Sequence, residues 1–275
     1  MPAHTGLLVV LVAIGWQLSL VTGSIAKGES PKGNGFDTSP QARQQALETI
    51  PWGRLLPEAQ QRIRNVAAAP TMFRRLPRQQ IECDGEMFLF LVRHPEILVG
   101  TWEIMGITKV QVQRTAPFHL ESDDQAGTQC DIDLIYGDRH LHVFLAEGEY
   151  SGPLLTKPIT GRGLFVLHSR FEPVADGGTM VVGWLDCFVQ LDSAGADLVM
   201  RTFSGMIGKS ADNNFAETAR FIGQVSRAAK ENPRGMVDLA GRLPQVQPEV
   251  REAYAEQCRL VYARSEQAVI PSAKR

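Results

Sequence analysis

Between Thr128 and Gly208 the chain keeps a two-residue beat that few folds can use. Ile132, Leu134 and Tyr136 alternate with Asp131 and Asp133, and Leu141, Val143 and Leu145 alternate with His140 and His142. Successive side chains on a strand point to opposite faces, so this pattern predicts a sheet with one buried and one wetter face. Strands are expected at Gln129 to Tyr136, Arg139 to Tyr150, Leu164 to Phe171, Thr179 to Leu191 and Asp197 to Met206. Gly137-Asp138, Gly177-Gly178 and Ser193-Ala194-Gly195 punctuate them, and Gly-Asp suits a tight hairpin that requires positive φ. Connections this short join antiparallel neighbours.

Around this stretch the period is helical. Gln41 to Glu48, Pro57 to Ala69 and Gln79 to Arg93 read as helices, with Leu56, Ile63 and Val66 spaced along the second. Pro95 to Met105 places Ile97, Leu98, Thr101, Trp102 and Met105 on one face. From Thr108 the period shortens, giving two brief strands at Lys109 to Arg114 and Phe118 to Glu121 before the turn-rich Ser122 to Gly127. Downstream, Asn214 to Lys230 carries Phe215, Ala219, Ile222, Val225 and Ala229 on one stripe. Asn214 and Glu217 form a capping pair and Asn232-Pro233 a stop. Pro233 to Leu243 and Pro248 to Ala263 add two helices, the last with Val250, Tyr254, Cys258 and Val261 in register. The fold class is α+β: an antiparallel six- or seven-stranded sheet with a long C-terminal helix and extra flanking helices.

A chain of 275 residues with 44% hydrophobic content can bury a sizeable core, and a net charge of -2 supplies no field for nucleic acid. At the N-terminus, Gly6 to Trp16 is an apolar and small run that Gln17 to Val21 extends, followed by small residues at Gly23, Ser24 and Ala26. The run falls short of the ~20 residues a spanning helix needs and the small residues fit a cleavage site, although His4 stands where a leader ordinarily has Lys or Arg. We therefore read residues 1–26 as a signal peptide and 27–40 as a flexible linker. Then come an N-terminal helical segment (41–76), the main domain (77–243), a C-terminal helix (244–264) and a tail (265–275). The expected location is exported, periplasmic or extracellular, or else anchored by an uncleaved N-terminal segment. With the leader removed, no stable transmembrane span is expected.

Helices, then an antiparallel meander, then a long amphipathic helix is an order that resembles the helix-grip superfamily of START-like lipid-transfer and polyketide-cyclase domains. The similarity covers about Gln79 to Leu243 and rests on element order, with Pro95 to Met105 leading into Gly106-Ile107-Thr108. The resemblance implies a curved sheet wrapped around the long helix, with an apolar cavity between them. It implies a lipid or other hydrophobic ligand, and in a minority of members catalysis on it. A rival likeness is Gly100-Thr101-Trp102, similar to the Gly-x-Trp of lipocalin-like barrels; here those residues sit inside a helical stripe, and a barrel would leave the helices after Ser210 unexplained.

By alternation the residues facing such a cavity are Leu134, Tyr136, Leu141, Val143, Phe165, Leu167, Leu185 and Val189, with Trp102 from the preceding helix. Tyr136 is the expected polar anchor, because its ring can pack while its hydroxyl bonds a head group. The bland counterpart is a solid core of the same residues.

Polar chemistry is sparse. His119, His140, His142 and His168 lie in strands and, with Asp131 or Asp133, could assemble a metal site, but no His-x-x-x-His or Cys-x-x-Cys spacing fixes them, and a polar, half-exposed sheet face explains them better. Glu147 and Glu149 share a strand face, and Asp123-Asp124 occupies a turn. Ser151-Gly152 and Ser204-Gly205 lack a nucleophile elbow, and Gly161-Arg162-Gly163 is too short for a phosphate loop. No catalytic residue, metal or cofactor is therefore expected. Cys83, Cys130, Cys187 and Cys258 allow three disulfide pairings or four buried thiols. The readings in play are a binding protein for a hydrophobic molecule, a cyclase- or hydrolase-like enzyme using the same cavity, and a structural or interaction protein with a filled core.

Overall fold

A computed structural model describes residues 35–151, 158–174, 178–191 and 194–269, without the side chains of 194–208 and 268–269. The expected leader, most of the linker and the end of the tail lie outside these residues, as do Gly177 and Ser193 of the Gly177-Gly178 and Ser193-Ala194-Gly195 punctuation.

Prolines begin the helices. Pro40 opens α1 (Pro40–Glu48), Pro57 opens α2 (Pro57–Ala68), Pro95 opens α4 (Pro95–Ile104), Pro233 opens α6 (Pro233–Arg242) and Pro248 opens α7 (Pro248–Val269). At a first helical position the missing N–H is no loss and the fixed φ is already helical. α3 (Gly85–Arg93) instead starts on Asp84, whose side chain accepts from the Glu86 and Met87 amides.

Eight strands form one antiparallel sheet. They are β1 (Met72–Arg75), β2 (Gln79–Glu82), β3 (Gln111–Ala116), β4 (His119–Asp123), β5 (Thr128–Gly137), β6 (Leu141–Tyr150), β7 (Ile159–Pro173) and β8 (Thr179–Leu191). The order is β1-β8-β7-β6-β5-β4-β3, with β2 also on β8, so the sheet is open. The 3 to 8 part of the meander follows the sequence reading closely. β1 and β2 do not: four residues each, they carry too few side chains to reveal a period, and Gln79–Glu82 had read as the start of a helix.

The C-terminal helix is longer than expected. α5 (Ala194–Glu231) absorbs the expected strand Asp197 to Met206, and Asn214 sits buried inside the helix and does not cap it. Val199, Phe203 and Met206 in fact repeat at helical spacing, and no proline interrupts the segment. The β5–β6 hairpin likewise differs from expectation. Positive φ occurs at Gln125 and Gly127, in the β4–β5 turn, and the β5–β6 turn is held by Asp138, whose carboxylate accepts from the His140 and Leu141 amides.

Two cores form, one on each face of the sheet. On one face α1 and α2 cover Leu141, Val143 and Leu145 of β6, Leu164 and Val166 of β7, and Phe188 of β8. On the other, α3 to α7 pack with Phe144, Phe165, Leu167, Leu185 and Val189, and Ile222 and Val225 of the expected α5 stripe are buried there. α5 itself packs against β2, α3, α6 and α7. Among the described residues, no helix is long and apolar enough to cross a membrane.

Candidate functional site

The expected cavity residues fall on both faces. Trp102, Leu134, Phe165, Leu167, Leu185 and Val189 join the core beneath α3 to α7, where Trp102 packs on Phe221 with ring centroids 5.0 Å apart. Tyr136, Leu141 and Val143 join the core beneath α1 and α2. The nine residues therefore do not line one space.

The physical reason is a bulge. Leu134 pairs with Phe144 but Tyr136 pairs with Val143, so Ile135 is an extra residue and the alternation of β5 changes phase there. Tyr136 thus turns to the α1–α2 face, where its hydroxyl donates to Asp138 Oδ2 at 2.7 Å and accepts from Arg54 Nη1 at 2.8 Å. β6 adds a second cause: all of its residues from Leu141 to Ala146 are buried, because helices cover both of its faces, so hydrophobicity no longer marks one side.

The α3–α7 face also carries a row of small side chains. Cys130, Gly148 and Gly161 are cross-strand partners, as are Ala146 and Gly163, and with Thr128 and Phe165 they enclose a recess of about 20 Å³. Close neighbours, backbone at Gly148 and a ring at Gly163, keep the row small. A Cβ on Gly148 would stand 2.4 Å from the Gln129 carbonyl oxygen, and one on Gly163 would stand 2.5 Å from the Phe165 ring. Burial pushes the Cys130 thiol up to about 12, with the Asp131 and Glu147 charges acting the same way, so it is no thiolate nucleophile. All four cysteines are free.

At the same end of the sheet a larger hollow of about 610 Å³ takes its lining from both faces, with Ser122, Cys130 and Gln245 on the recess side and Gln113, Glu121, Asp131, Glu147, Glu149 and Arg162 on the other. Glu147 and Glu149 share a face, as their spacing predicted. On the α1–α2 face, Glu121 and Asp131 of this lining stand beside His119, outside the hollow, and so bring together two of the residue types weighed for a metal: the three offer ligand atoms that lie within 4.8 Å of one another. The other histidines are elsewhere. His142 is fully buried, accepts from Arg93 Nε at 3.3 Å and has an unpartnered Nδ1. Burial depresses it to about 4, and the Arg93 charge adds to this. His168 bonds Asp186 at 3.0 Å, and His140 Nδ1 stands 3.1 Å from the Ser169 carbonyl oxygen. Asp123 and Asp124 do the work of a turn, accepting from the amides of Gln125, Ala126 and Thr128. Glu121 was the member that sequence reasoning passed over, although it stands two residues from His119 on one strand and so shares its face.

No family model and no curated protein matches the chain. Among solved structures it is similar to an uncharacterized protein from Rhizobium leguminosarum, at 16% identity and a TM-score of 0.32 over 53% of this chain and 94% of that one. It is also similar to apo dicamba monooxygenase, at 12% identity and a TM-score of 0.28 over 74% of this chain and 59% of that one. Likenesses at these scores carry nothing about fold or activity.

Proposed function

We propose that the chain is an exported binding protein of the helix-grip kind, whose sheet curves around α5 and holds a lipid or other hydrophobic small molecule against the face that carries α5. The row of small residues supports this reading. Large apolar side chains fill that face at Leu134, Phe144 and Phe165, whereas Cys130, Ala146, Gly148, Gly161 and Gly163 withdraw side-chain volume from its middle strands. A ligand lying on this row meets an apolar floor at little displacement cost, while Trp102, Leu167, Leu185 and Val189, all buried, serve as the packed wall around it. Tyr136, Leu141 and Val143 take no part, since they face α1 and α2.

Cys130 tests the site, because it lines both the recess and the adjoining hollow and is only half-buried. The mature protein should take up an apolar fluorescent probe, and native mass spectrometry should detect a copurified hydrophobic molecule. Cys130→Trp should reduce probe affinity by about tenfold or more while leaving the melting temperature close to that of the parent. Absence of both probe uptake and copurified ligand in the parent would count against the reading. Export is tested separately: N-terminal sequencing of secreted material should find a start between Ser24 and Lys27.

A further inference from the structure

On the opposite face of the sheet, β4 and β5 bring four polar residues together by register. His119 pairs with Asp133 and Glu121 pairs with Asp131, and cross-strand partners share a face. Asp133 holds the imidazole: its Oδ1 accepts the Nδ1–H of His119 at 2.7 Å, and its Oδ2 accepts from Arg62 of α2 at 2.7 Å. An ionised carboxylate can only accept, so Nδ1 carries a proton, and in the neutral ring Nε2 is the nitrogen that offers a lone pair. That lone pair faces Asp131, whose Oδ1 is 3.8 Å away. The separation is too long for a hydrogen bond. It is close to the ~3.4 Å between two ligands of one tetrahedral ion with bonds of ~2.0 to 2.2 Å. A lone pair and a carboxylate facing each other across such a gap attract only when a proton or a metal cation lies between them.

We propose that His119 Nε2 and one carboxylate oxygen each from Glu121 and Asp131 bind a single divalent transition-metal ion of the zinc class, with water completing its shell. Asp133 is a positioning residue, the carboxylate that fixes the tautomer and orientation of a metal-bound histidine. Arg62 reaches both Asp133 and Glu147, the latter at 3.2 Å, and so neutralises two nearby carboxylates that do not ligate. One imidazole with two carboxylates selects a zinc-like ion over magnesium, which favours oxygen ligands and retains its water. Glu121 and Asp131 are exposed, so the ion is reached from solvent. The site lies on the face away from the small-residue row, and the proposal stands whether or not an apolar ligand binds there.

Calorimetric titration of the untagged, chelator-stripped full chain with Zn²⁺, and separately with Mg²⁺, tests it. One Zn²⁺ per chain is expected, with Mg²⁺ at least about tenfold weaker. His119→Gln and Asp131→Asn should each lower Zn²⁺ affinity about tenfold or more, and Asp133→Asn should lower it about 10- to 100-fold although it supplies no ligand. His140→Gln, in an exposed strand-flanking position, should leave it unchanged. All four positions are at least partly exposed, so circular dichroism should report the same fold throughout. No Zn²⁺ binding, or binding unaltered in the His119→Gln/Asp131→Asn double variant, would overturn the site; full affinity in Asp133→Asn would overturn its positioning role.

Discussion

The molecule contains the same side-chain relay twice, and burial makes the two copies into different things. In the first, His168 Nε2 lies 3.0 Å from Asp186, which also takes Arg75 at 2.6 and 3.1 Å. In the second, His119, Asp133 and Arg62 repeat the arrangement at 2.7 Å on each side. Both lie on the face that carries α1 and α2. The Asp186 side chain is 0% exposed, however, against 27% for Asp133. The His168 ring is stacked on Trp184 at 4.6 Å, and His168 belongs to no cluster of three potential ligands among the described residues. The closed copy thus spends its chemistry on holding β1, β7 and β8 together. The open copy leaves an imidazole nitrogen directed at free carboxylates.

The sharpest way to separate the copies is to delete the aspartate from each. Asp186→Ala strands Arg75 and His168 beside a fully buried site and should cost about 3 to 5 kcal/mol in urea unfolding, the usual result of breaking a buried pair from one side. A loss below about 1 kcal/mol would show the closed copy to be no more structural than the open one.

A third histidine extends the contrast, because His142 is buried with an arginine as its hydrogen-bond partner and no carboxylate. Its folded value, about 4, lies below the ordinary 6.5, so the unfolded chain binds the proton first as pH falls. Stability is complete above about pH 6.5 and should decline by on the order of 3 kcal/mol by pH 4. His142→Gln should flatten that decline, as read from denaturation midpoints across the range.

The smallest effect is expected at Asp133. Burial raises its carboxyl, but the hydrogen bonds from His119 and Arg62 and the Arg62 charge outweigh that, and it stays below the usual carboxylate range. The associated stability is present above its unfolded value near 4 and fades only in more acid solution. Because the pair is about a third exposed, Asp133→Ala should cost no more than about 1 kcal/mol at neutral pH. A loss comparable to that of Asp186→Ala would erase the distinction between the two copies.

Much of this architecture was legible before any coordinates. Period-2 alternation placed β5 to β8, proline placed most helix starts, and Thr179–Leu191 matched to the residue. Misreadings have local causes. The bulge at Ile135 reverses a phase that alternation assumes constant, and the double-sided burial of β6 hides which face is which. The apolar Leu198-Val199-Met200 run suited either a strand or a helix until the full length of α5 settled it. His119, Asp131 and Asp133 were visible as residue types, but their proximity depends on the β4–β5 register, which the Asp124–Thr128 turn sets through bonds between Asp124 and Thr128. No spacing rule along the sequence encodes such a register.

The pairing of β1 and β2 with β8 has a consequence for how the chain is made. A strand ending at Arg75 has no partner until Asp186 exists, and the cap of α3 is completed only by Arg264, which grips Asp84 through two bonds of 2.8 Å across 180 residues of chain. Such distant contacts must close a large loop before they return any energy, which makes folding slow. While the chain emerges from the ribosome, the β5–β6 and β6–β7 hairpins can form at once, but β1 and β2 must wait for β8, and the Asp84 cap for the last helix. A nascent chain halted before β8 would therefore carry β1 and β2 without their partner, and one halted before α7 an α3 whose cap lacks Arg264; an unpaired strand is what holding chaperones engage and proteases find.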